Sequence, residues 1–161
     1  GGGLPMGAFC GKREIMELIA PQGPVYQAGT FSGNPISVQA GLSTLSQLDD
    51  KFYKDLERKG NFLRGNIESI IDDEQYNIQC VGLASMFQIY LNPAEVYNYA
   101  DAKKSDAESF LRYFGALLKE GVFIPPSQFE CNFISSAHSM ADLQDTSDAI
   151  EIALAVALNK K

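Results

Sequence analysis

Glycine and proline crowd the first 35 residues of the chain. Gly1, Gly2, Gly3, Gly7, Gly11, Gly23, Gly29 and Gly33 fall there, together with Pro5, Pro21, Pro24 and Pro35. Glycine loses the most backbone freedom on folding, and proline removes a hydrogen-bond donor, so such a stretch cannot be mainly helix or strand. Only residues 12–20 are spaced as a short helix, with Ile15, Met16 and Ile19 on one side. The rest reads as loop, and long ordered loops are where binding residues concentrate. The stretch ends at Asn34-Pro35, where Asn supplies a helix cap and Pro occupies the first helical position, which needs no donor. Ile36, Gln39, Ala40, Ser43 and the apolar positions of 45–48 carry that helix on.

The remaining residues follow a different pattern. Phe52, Leu56, Leu63, Ile67 and Ile70 recur at helical spacing between charged residues, with Gly60 and Gly65 weakening the helix without ending it. Residues 76–81 and 86–91 read as two short strands around Gly82-Leu83-Ala84-Ser85, a hairpin that Asn92-Pro93 stops. Ser105 and Glu108 form a capping-box pattern before a helix with Phe110, Leu111, Phe114, Leu117 and Leu118, which should stop at Gly121. Residues 122–124, cut off by Pro125-Pro126, and 133–137 read as strands. Ser139 caps a last helix with Leu143, Ile150, Leu154 and Leu158 toward the core. Helix, strand, strand, helix, strand, strand, helix is an α+β unit with a small, mainly antiparallel sheet covered by helices. A length of 161 residues suits about one domain, yet the pattern breaks near residue 49. Residues 1–49 therefore read as the edge of another domain and 50–161 as one complete small domain.

A formal net charge of −7 argues against a nucleic-acid or anionic-membrane partner. No apolar run is long enough to span a bilayer. Cys10, Cys80 and Cys131 are odd in number and widely spaced, which fits neither a zinc site nor a disulfide framework and suits a reducing cytoplasm. His138 is the sole histidine, so no histidine cluster for a metal exists. Ser135, Ser136 and Ser139 flank it without a nucleophile elbow, and a structural histidine at a strand end is the expectation. Neither a phosphate loop ending in GK[ST] nor a strand-to-helix GxGxxG is present.

The remaining candidate is Tyr26-Gln27-Ala28-Gly29-Thr30-Phe31-Ser32-Gly33-Asn34-Pro35. Flexible glycine backbone and two hydroxyls stand just before a helix N-terminus, where free amides and the helix dipole favour an anion. A phosphate contact is one reading of these residues, and an ordinary capped loop is the other. Gly1-Gly2-Gly3 is similarly open: a purification scar, a processed start or a piece of a longer chain would each account for it.

GGGLPMGAFCGKREIM, PVYQAGTFSGNPISVQAG, VGLASMFQIY and PSQFECNFISSAHS, in that order, resemble the C-terminal part of the glutamate-1-semialdehyde 2,1-aminomutases, in the class III pyridoxal-phosphate aminotransferase group. The resemblance covers essentially the whole chain. GTxSGNP alone indicates the broader group, and VYQAG, PSxFE and SxAHS narrow it. It implies an α/β fold: the end of the large domain of a fold-type I pyridoxal-phosphate enzyme followed by the small α+β domain. It also implies that the Schiff-base lysine precedes Gly1, so no catalytic residue is assigned here and Lys12 is not that lysine. Gly29 and Thr30 would contact the cofactor phosphate, Thr30 reaching the neighbouring subunit's cofactor across a homodimer. Tyr26 would lie near the same site, and Glu130 would face the substrate region. From the residues alone, Glu130 would be a solvated loop carboxylate. Cys10 and Cys131 depart from the small residues usual at their positions.

The resemblance thus implies pyridoxal or pyridoxamine 5'-phosphate as cofactor, a small-molecule substrate, and a cytoplasmic homodimer that makes 5-aminolevulinate for tetrapyrroles. The 161 residues alone should be inactive. Another class III aminotransferase, acting on ornithine-like or ω-amino substrates, and a non-enzymatic α+β interaction module are the alternatives. No metal is expected.

Overall fold

The computed structural model describes residues 1–158. The chain divides into two compact units, Gly1–Lys51 and Phe52–Lys161.

In the first unit a helical turn, α1 (Arg13–Met16), is shorter than the helix expected over 12–20. Ile19 and Val25 form an isolated parallel bridge beyond it. Helix α2 (Pro35–Leu45) starts as the sequence requires: Asn34 Oδ1 accepts from the Ile36 and Ser37 amides, both at 3.1 Å, and Pro35 takes the first position. It stops at Leu45, short of the expected 48. Its buried residues are only Ser37 and Gly41, while Ile36, Leu42 and Leu45 are exposed.

The second unit holds the core. Helix α3 (Asp50–Asp73) buries Leu63, Ile67 and Ile71. Strands β1 (Gln79–Leu83) and β2 (Met86–Tyr90) pair antiparallel, from Gln79 opposite Tyr90 to Leu83 opposite Met86. The hairpin was expected, but its turn is tighter: Gly82 and Leu83 belong to the strand, and only Ala84 and Ser85 turn. Gly82 permits this, because a Cβ there would lie 2.9 Å from the Phe87 Cα on the facing strand. The turn needs positive φ, and Ala84 supplies it at 50°.

A further helical turn, α4 (Tyr99–Ala102), was not anticipated; Asn98 caps it through the Asp101 amide. Helix α5 (Ala107–Lys119) is capped by Asp106 rather than Ser105, correcting the expected capping box. Gly121, at φ 84°, ends it as expected, with the Val122 amide donating to the Leu117 carbonyl. That bond and the donorless Pro125-Pro126 leave 122–124 outside the sheet, so the strand expected there does not form. Strand β3 is only Asn132–Phe133, not 133–137, because the Ser135 amide is taken by the His138 ring. It pairs antiparallel with β2, giving the order β1-β2-β3. Helix α6 (Met140–Ala157) opens on a capping box between Ser139 and Asp142.

Leu63, Ile67, Leu117, Leu143, Ile150 and Leu154 are fully buried. They come from α3, α5 and α6 and pack with Phe87 and Ile89 of the sheet. Each contributes roughly 1.5 to 3 kcal/mol of burial. The second unit is therefore a three-stranded antiparallel sheet with helices, one strand fewer than the sequence pattern suggested.

Candidate functional site

Two glycine contacts shape the first unit. Gly2 and Gly3 have φ of 59° and 88°, and the Gly1 carbonyl accepts from the Leu4 amide at 3.0 Å, so the chain reverses at once. A Cβ on Gly2 would stand 2.5 Å from Thr44 Oγ1 and 2.8 Å from the Ala40 carbonyl oxygen, and one on Gly41 would stand 2.7 Å from the Met6 sulfur. At Gly2 the positive φ and the close Ala40 carbonyl leave no room for a side chain, so glycine lets the first six residues lie on this face of α2. Met6, Gly7, Ala8 and Phe9 then form one wall of a cleft of about 780 Å³, and Gln27 with Gly29 to Gly33 forms the other. Two stretches some twenty residues apart thus build one site. The second wall is legible in the sequence as a loop before a helix start, whereas the first is not, although its glycine spacing is visible.

The loop wall is internally braced. The Gly29 carbonyl accepts from the Ser32 amide at 2.9 Å, and the Phe31 carbonyl from the Asn34 amide at 3.0 Å. Gly33 turns the chain into α2 at φ 70°. The amides of Thr30 and Phe31 have no hydrogen-bond partner among the described residues. Those two donors and the hydroxyls of Thr30 and Ser32 are available to an anion. The α2 amides at Ile36 and Ser37 are not, because Asn34 takes them. This shifts the expected anion contact from the helix end to the loop itself, with the helix dipole still favouring negative charge. No carboxylate lines the cleft among the described residues, so a phosphate meets no like charge there. The donor set fits the phosphate of the implied cofactor.

Gly29 and Thr30 line the cleft; Tyr26, on the same loop and 83% exposed, does not. Glu130 belongs to the second unit, on a turn where its amide donates to the Ser127 carbonyl at 3.2 Å, and its side chain is exposed.

His138 Nδ1 accepts from the Ser135 amide at 2.9 Å and lies 3.2 Å from Ser135 Oγ. The Asp142 carboxylate turns to the Ser139 amide at 2.7 Å. These side chains brace a helix start and form no Ser-His-Asp relay. Burial pushes the Cys80 thiol up to about 12, which keeps it protonated and unreactive. Among the described residues, no cluster of His, Cys, Asp and Glu is placed to hold a metal, and no helix is long and apolar enough to cross a membrane.

Comparison with known proteins bears on the whole chain. The family model of class-III aminotransferases matches residues 1–151. A glutamate-1-semialdehyde 2,1-aminomutase of Methanobrevibacter smithii is 79% identical over all 161 residues, which cover 38% of its length. The chain thus spans little more than a third of the curated relatives it matches. An omega-transaminase from Sphaerobacter thermophilus shares the fold with a TM-score of 0.84 at 27% identity, over 99% of this chain and 37% of its own. A glutamate-1-semialdehyde-aminomutase from Pseudomonas aeruginosa PAO1 in complex with PMP matches at TM-score 0.68 and 13% identity, over 81% of this chain and 30% of its own, a likeness of fold alone. The resemblance read from the sequence and its implied fold class are both borne out: the chain belongs to the class-III aminotransferase family.

Proposed function

We propose that this chain is the C-terminal part of a glutamate-1-semialdehyde 2,1-aminomutase, converting (S)-4-amino-5-oxopentanoate to 5-aminolevulinate in tetrapyrrole synthesis. The observation that carries this reading is the high identity to an aminomutase over every residue of the chain. The cleft supports it independently, since it offers neutral donors to a phosphate and no opposing carboxylate. When bound, pyridoxamine phosphate supplies the amine and the electron sink for the reaction.

The residues of this chain bind and orient. The Thr30 hydroxyl and amide hold the phosphate, and Gly29 adds no side chain beside them. In the cytoplasmic homodimer this phosphate belongs to the cofactor of the neighbouring subunit. Tyr26 stands by the shared site. The Glu130 carboxylate faces the substrate region and attracts its ammonium group. Proton transfer falls to a lysine preceding Gly1 in the whole enzyme, so the 161 residues alone have no turnover.

The full-length enzyme, given glutamate 1-semialdehyde without an external amino donor, should release 5-aminolevulinate. Turnover only when a separate amino donor and keto-acid acceptor are added would instead favour another class III aminotransferase, a reading to which the omega-transaminase likeness points. The 161-residue chain mixed with pyridoxal phosphate should show no lysine-linked absorbance band.

A further inference from the structure

Glu130 sits on a three-residue excursion between Gln128 and Asn132, and one side chain from another strand grips both ends of it. Gln88, at the centre of β2, is only 7% exposed. Its Nε2 donates to the Gln128 carbonyl at 2.9 Å, and its Oε1 accepts from Asn132 Nδ2 at 2.7 Å. Backbone acceptors fix both amide orientations, because Asn132 Nδ2 also donates to the Phe87 carbonyl at 3.3 Å. Within the excursion the Phe129 amide reaches Ser127 Oγ at 3.3 Å and the Glu130 amide the Ser127 carbonyl at 3.2 Å, and the Cys131 thiol reaches another element, at 3.6 Å from the Phe87 carbonyl. The buried Oδ1 of Asn132 and Oε1 of Gln128 have no partner among the described residues. A polar cluster that leaves two acceptors orphaned is a poor device for stability alone. What it does achieve is to tie the Gln128 end of the loop to β2, the same strand to which β3 already pairs the Asn132 end.

We propose that Gln88 is a positioning residue: its carboxamide clamps the loop from Gln128 to Asn132 so that the Glu130 carboxylate is held where the substrate's ammonium group binds. This rests on the reading of Glu130 given above. Gln88 touches no substrate and acts through the loop.

The test uses the full-length enzyme loaded with cofactor and assayed with glutamate 1-semialdehyde. Gln88→Met removes both bonds; Gln88→Glu keeps an acceptor for Asn132 and loses the donor to Gln128. Either variant should raise KM roughly five- to tenfold, the scale of one or two lost hydrogen bonds, with kcat and cofactor affinity within about twofold of the parent. Glu130→Gln should raise KM as well. Adding Gln88→Met to Glu130→Gln should then change KM by less than about twofold, since the clamp has no carboxylate left to place. An unchanged KM in the Gln88 variants, or the same KM penalty with Glu130 already replaced, would overturn the proposal while leaving the Glu130 reading intact. An unchanged KM for Glu130→Gln would remove that reading, and the proposal with it. Should neither Gln88 variant fold, the clamp is a folding element only and the proposal fails.

Discussion

Asp106 accepts from the Glu108 amide at 3.0 Å, the Ser109 amide at 3.2 Å and the Ser109 hydroxyl at 2.6 Å. These bonds, the Ser109 hydroxyl first, hold its carboxyl below the usual carboxylate range. Asp142 is lowered in the same way, first by the Ser139 amide and then by its hydroxyl. Both groups favour the charged form in the folded state. Their stabilisation is therefore complete above the unfolded carboxylate pKa, near about 4, and is lost as pH falls through the lower folded values. Asp106→Ala should cost about 1 kcal/mol in urea unfolding at pH 7. Asp106→Asn, which can still cap, should lose less and should flatten the fall in stability below about pH 4. The adjacent Ser105 shows where sequence reading reached its limit. Ser-x-x-Glu and Asp-x-x-Ser overlap there, and the winner is the residue with two acceptor oxygens, while the buried Ser105 hydroxyl has no partner among the described residues. At Ser139 no such competition exists, and the expected cap forms.

Helix α3 carries two glycines that the sequence could not tell apart. A Cβ on Gly60 would collide with the Ala84 carbonyl oxygen in the β1–β2 turn, whereas one on Gly65 would meet nothing within 4 Å. Gly60 lets the hairpin lie against the helix, and Gly65 is only a weak helix former. Gly60→Ala should destabilise by about 1 to 3 kcal/mol, as overpacking does. Gly65→Ala should stabilise by about 0.5 to 1 kcal/mol. Urea unfolding of the two variants checks both signs. The helices α3, α5 and α6 were legible because their apolar residues recur at helical spacing, and at α6 the Ser139 cap agrees as well. The strands were legible as a hairpin and little more. Their ends depend on where distant amides go, as when the Val122 amide closes α5 and the Ser135 amide meets the His138 ring, and a linear pattern carries no record of either. The site showed the same divide. The loop from Tyr26 to Pro35 could be read locally, while its opposite wall at Met6 to Phe9 depends on the contacts of Gly2 and Gly41 with other residues.

The two units differ in what stabilises them. The second has a continuous core from three helices and a sheet. In the first, Met6, Phe9, Ile15, Leu18, Phe31 and Leu45 are all exposed, and burial is confined to Ser37 and Gly41 of α2. Burial is the main favourable contribution to folding. Residues 52–161 produced alone should therefore unfold cooperatively on heating, followed by far-ultraviolet circular dichroism, and residues 1–51 alone should show no transition. The proposed function requires the loop at Gly29 and Thr30 to be the phosphate side of the cofactor site. Its most direct test is the dissociation constant of pyridoxal phosphate from full-length enzyme carrying Thr30→Val, which keeps the shape and removes the hydroxyl. A hydrogen bond to a charged group is worth about 1.5 to 3 kcal/mol, so the constant should rise roughly ten- to hundredfold, with Thr30→Ser close to the parent. Parental affinity in Thr30→Val would contradict the account.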